Sequence, residues 1–69
     1  MTYEILLIHT RRGRTEVIVS NILPRVGDEI DWLVGELPVV KKVLLWPSEE
    51  TLKGRVPEGT TVDAIIQVR

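Results

Sequence analysis

The sequence predicts an all-β domain, five short strands rolled into a small, partly open barrel that takes in residues 1–69 as a single β-rich unit. Three observations carry this. Val, Ile and Leu supply 25 of the 69 residues. These apolar residues fall in runs of four to eight bounded by Gly, Pro or charged residues, a length that suits strands and is short for helices. The last stretch, Thr61 to Val68, places Val62, Ala64, Ile66 and Val68 in strict alternation with the residues between them, the period of a strand.

Tyr3 to Thr10 opens the chain with Ile5, Leu6, Leu7 and Ile8 in succession, so both faces of this strand call for cover. Arg11-Arg12-Gly13-Arg14 follows, with a glycine able to take positive φ, and Thr15 to Val19 is β-branched again, which predicts a hairpin. Pro24 ends the second strand or sits just past it, because it cannot donate to a ladder. Val39 to Trp46, bounded by Pro38 and Pro47, holds six apolar residues around Lys41 and Lys42 and reads as another strand. Pro47 to Leu52 suits a single helical turn, with Ser48 as cap and Glu49 and Glu50 at the positive end of the dipole. Lys53 to Thr60, with two Gly and one Pro, is a loop.

Residues 28–37 admit two readings. As a strand, Ile30, Trp32 and Val34 share one face and Glu29, Asp31 and Leu33 the other, which completes the five-stranded barrel. As a helix capped by Asp28, Ile30, Leu33, Val34 and Leu37 form one apolar stripe, although Gly35 weakens it by about 1 kcal/mol relative to Ala. The helix would make the order ββαββ, an α+β arrangement close to a β-grasp.

The run Leu23-Pro24-Arg25-Val26-Gly27-Asp28-Glu29-Ile30, followed by Val39-Val40-Lys41-Lys42-Val43, resembles the proline, glycine-aspartate turn and strand succession of small SH3-like barrels, including short proteins of bacterial or phage type. The resemblance covers about a third of the chain and implies the barrel fold. It carries no activity with it, because a fold does not fix a function.

Composition narrows the classes of function. Cysteine is absent, which excludes disulfides and thiolate metal sites and fits a reducing compartment, so the cytoplasm is the expected location. Ile5 to Ile8 is too short for a signal core or a membrane span, and no membrane association is expected. One histidine, His9, cannot pair with another on a metal. Neither serine lies in a nucleophile-elbow sequence and the glycines are isolated, so no hydrolase or phosphate-loop pattern exists. Asp28, Glu29, Asp31 and Glu36 do not have the spacing of a calcium loop and read as a solvated acidic face. No cofactor is expected, and the chain reads as a non-catalytic module. An enzyme would have to pool groups such as His9, Asp31 and Asp63 from several subunits.

Two surfaces remain. Sixty-nine residues without a disulfide have a small stability margin, and Leu6, Ile8 and Ile65 lie on the strand faces opposite the main core. A second copy could cover them, with Leu44 and Trp46 adding to the contact, so a homo-oligomer, most simply a dimer, is expected. The alternative is nucleic-acid binding through the Arg11 to Arg14 turn, extended by Lys41 and Lys42, since arginine forks match phosphate oxygens. Net charge −1 and the scarcity of aromatic side chains count against it.

Overall fold

Two apolar runs determine which strands lie in the middle. In the structure, a computed structural model that describes residues 1–32 and 37–69, the chain forms β1 (Tyr3–His9), β2 (Arg14–Ser20), β3 (Val40–Leu45), α1 (Glu49–Leu52) and β4 (Ala64–Val68). The sheet order is β2-β1-β4-β3. β1 and β4, which carry Ile5 to Ile8 and Ala64 to Ile66, pair in parallel at the centre, with Ile5 beside Ala64 and His9 beside Val68. Central parallel strands are buried on both faces, and these are the two segments apolar on both faces. β2 and β3 pair antiparallel with β1 and β4 and form the edges.

The expected five-stranded barrel is therefore corrected to a four-stranded open sheet. A meander would pair its strands antiparallel throughout, whereas here the first and last strands are parallel neighbours, which requires long crossings between hairpins. Among the described residues, the fifth strand is represented by one isolated bridge, Glu29 to Val39. The helical alternative over 28–37 fares no better in its described part: residues 28–32 and 37 are not helical, and residues 33–36 lie outside the described residues. The helix that does form is the single turn expected after Pro47, where the Ser48 side chain accepts from the Thr51 N–H.

Two thin layers cover the sheet. On one face Ile5, Leu7, Val40, Ile66 and Val68 make a cluster, and Leu23, Ile30 and Trp32 of the β2–β3 connection pack against it. On the other face Leu6 and Ile65 pack with Leu52 of α1 and Val62, flanked by Ile8 and Val56. The chain bends at Asp63, just before β4, and Val62 packs in this second cluster with Ile65, so the alternation expected from Thr61 onward holds only from Ala64.

β3 departs from simple alternation. Val40 pairs with Val68 but Lys42 with Gln67, so Lys41 is an extra, bulged residue. The bulge resets parity: Val40 and Val43, three apart, both pack on the first cluster while Lys41 and Lys42 stay exposed. At the start of β4, Asp63 ties three segments together. Its N–H donates to the Glu4 carbonyl at 2.7 Å, its carboxylate accepts from the Glu4 N–H at 2.9 Å, and its carbonyl accepts from the Trp46 N–H at 2.8 Å.

Candidate functional site

The end of the sheet where β1 and β4 finish gathers most of the positive charge. β1 reverses into β2 through Thr10 to Gly13, with Gly13 at φ 65° supplying the left-handed residue of the turn. The turn is fastened at both sides. The Thr10 N–H and hydroxyl both donate to the Val68 carbonyl, at 3.1 and 3.2 Å, and the Arg12 N–H donates to His9 Nδ1 at 3.3 Å. Arg69, just past β4, exchanges both backbone hydrogen bonds with Val39, at 3.0 and 3.2 Å. Because β3 begins at this same end, Lys41 and Lys42 stand there too. Six of the nine Lys and Arg residues (Arg11, Arg12, Arg14, Lys41, Lys42 and Arg69) thus share one end of a chain whose net charge is −1.

An open groove of about 450 Å3 runs into this end, lined by His9, Arg11, Arg12, Leu37, Pro38 and Arg69. His9 is buried, its ring 5.9 Å from that of Trp32. Since Nδ1 accepts a hydrogen bond, the neutral ring carries its proton on Nε2. Arg14 does not join the groove. Its guanidinium lies over the Trp32 ring, 5.9 Å from the centroid, and Trp32 Nε1–H donates to Glu16 at 2.6 Å. The arginines expected to act together are therefore divided, and Arg69, absent from the sequence-derived set, takes the third place. No sequence signal marks Arg69, because only the parallel pairing of β1 with β4 brings it beside the turn.

The surface expected to cover a partner is rearranged. Leu6 and Ile65 are buried by Leu52, Val56 and Val62 of the same chain, so they need no second copy, and Ile8 is half-buried against that cluster. This corrects the premise of the expected interface. Leu44 and Trp46 are exposed on or beside the β3 edge. Exposed apolar side chains also stand on the β2 edge, at Val17 and Val19, which the sequence reading left unassigned. An apolar groove of about 560 Å3, lined in part by Tyr3, Ile22, Leu23, Val43 and Leu45, opens on the first face at the opposite end of the sheet.

His9 and Asp63 lie at opposite ends of the sheet, so the pooled catalytic set does not come together within one chain. Among the described residues no three His, Asp or Glu side chains stand close enough to hold a metal ion, and no helix is long and apolar enough to cross a membrane. Comparison with family models, with curated proteins and with solved structures finds no match to this chain.

Proposed function

We propose that the protein is a non-catalytic interaction module that self-associates, and that β2 is the strand through which it does so. The observation that carries this is the state of the two sheet edges. Among the described residues no backbone hydrogen bond reaches the outer side of β2, a seven-residue strand with no proline, lysine or bulge to guard it. The outer side of β3 is treated differently. Val40 there accepts from the Gly27 N–H and donates to the Asp28 carbonyl, at 2.9 and 2.8 Å, and the bulge and the Lys41-Lys42 pair defend the next residues.

An open strand paired to a guarded one would grow head to tail, whereas two copies of β2 paired about a two-fold axis form a closed dimer. With Val17 opposite Val17 of the second copy, Thr15 faces Val19, Glu16 faces Ile18 and Arg14 faces Ser20. No like charges oppose one another, and the exposed Val17 and Val19 meet in one cross-strand row. The outcome is a continuous eight-stranded sheet. Leu44 and Trp46 stay at the far edges and take no part.

Sedimentation equilibrium from micromolar to several hundred micromolar tests the reading. The expected result is a mass approaching twice 7.8 kDa, with a Val17→Lys/Val19→Lys variant monomeric and folded and a Leu44→Lys variant still dimeric. A single-chain mass across the whole range would overturn it.

A further inference from the structure

We propose that the apolar groove at the start of β1 and the end of β3 receives Trp46 of a second copy of this chain, in a reciprocal contact separate from the β2 edge. The groove is lined by Tyr3 of β1, Val43 and Leu45 of β3, and Leu23, Arg25 and Val26 of the connection that leaves β2. At about 560 Å3 it is as large as a pocket that takes a small molecule, which is ample for one indole ring. Ile22, Val26, Leu45 and Trp46 are all exposed, a group of large apolar side chains of the kind that marks a contact surface.

The chain itself supplies an occupant that matches in shape and in charge. Trp46 is the residue after Leu45, so ring and groove are neighbours, and a two-fold axis beside them seats both rings at once. The backbone of Trp46 is held by the bond from its N–H to the Asp63 carbonyl and by Pro47, so little freedom is lost when the ring is buried. Charge selects this segment over an apolar residue with no acids behind it. Among the described residues that line the groove, Arg25 alone is charged, and Asp28 accepts from its N–H and not from its guanidinium. Glu49 and Glu50 follow Trp46 closely, exposed in the first turn of α1. Among the described residues, none of these three charged side chains has an ion-pair partner. With the ring in the groove, the carboxylates of one copy meet Arg25 of the other. One ring and a few charges make a small contact, weak by itself and populated at millimolar concentration. Taken with the β2 reading, on which this consequence rests, it makes each dimer bivalent, so dimers link into larger assemblies as concentration rises.

The test is a two-dimensional NMR dilution series from millimolar to micromolar, on the unsubstituted chain and on the Val17→Lys/Val19→Lys chain, whose β2 edge is blocked. Concentration-dependent shifts are expected in both proteins at the amides of Ile22, Leu23, Arg25, Val26, Val43 and Leu45 and at the Trp46 indole N–H, and they should shrink with added salt. In the blocked chain, Trp46→Ala should weaken the contact by about tenfold or more, the usual loss for a tryptophan at the centre of an interface. Arg25→Glu should also weaken it, and Arg25→Glu/Glu49→Lys/Glu50→Lys should restore it, a rescue that a merely structural role for Arg25 would not give. The spectra themselves report that each variant is folded. Groove shifts that persist in Trp46→Ala, or a charge reversal that fails to rescue, would overturn the contact. Shifts confined to β2 in the unsubstituted chain would overturn it too and leave the β2 reading standing, whereas shifts confined to the groove would do the reverse.

Discussion

Trp46 holds φ at 51°, a left-handed backbone conformation, at the point where β3 ends and Pro47 follows. An L side chain with a β-carbon costs roughly 1 kcal/mol there relative to glycine. The ring offsets little of this by burial, being 67% exposed, so the conformation is imposed by the bond from the Trp46 N–H to Asp63 and by the reversal that sends the chain into α1. Trp46→Ala and Trp46→Gly both lose the ring, and only glycine relieves the backbone. The alanine variant should be less stable than the glycine variant by about 1 kcal/mol in urea denaturation; equal stabilities would mean that the backbone relaxes without cost. Of the two tryptophans, Trp32 packs against the core and Trp46 stands exposed beside the β3 edge. Composition reports the size of a side chain but not the handedness of the residue that carries it. His9 shows the converse. Its place at a strand end was legible, while its burial depends on Trp32, which arrives from a distant connection.

At the scale of elements, β1 was the most legible strand, because Ile5 to Ile8 admit no exposed side, whereas β4 was legible as an alternating strand and the burial of Ile65 on its other face was not. The hairpin and the capped turn at Ser48 were legible for local reasons, a glycine and a serine at positions that local geometry demands. What covers the second face was not legible. α1 has only four residues, yet it places Leu52 on Leu6 and Ile65. That contact covers Leu6 and Ile65 within the chain. Leu52→Ala should therefore cost about 2–5 kcal/mol, the range for truncating a buried leucine, whereas Leu44→Ala, in an exposed position, should cost well under that. Thermal denaturation of the two variants side by side checks this. Equal losses would show that α1 does not close the second face. The β3 bulge was equally out of reach, since a register shift depends on the partner strand.

For the molecule as a whole, protection from hydrogen exchange should follow the sheet order. Amides of β1 and β4 sit between two neighbours and should exchange slowest, those of β3 next, and the outward amides of β2 fastest among the strands. Raising the protein concentration should slow exchange selectively in β2 if that edge pairs with a second copy. Uniform protection across the four strands in the dilute protein would contradict the exposed edge. The groove at the end of β1 and β4 also belongs to this scale, because its parts are separated by more than fifty residues and only the sheet assembles them. A further consequence follows from the parallel pairing of β1 with β4. A chain synthesised from its N-terminus presents Ile5 to Ile8 with β2 alone for company until Ala64 to Val68 has left the ribosome. Closing so long a loop comes before most of the stabilising contacts, which slows folding relative to a chain of local hairpins. The sheet is therefore completed only once β4 is available to pair with β1, and until then the apolar run Ile5 to Ile8 lacks part of its cover.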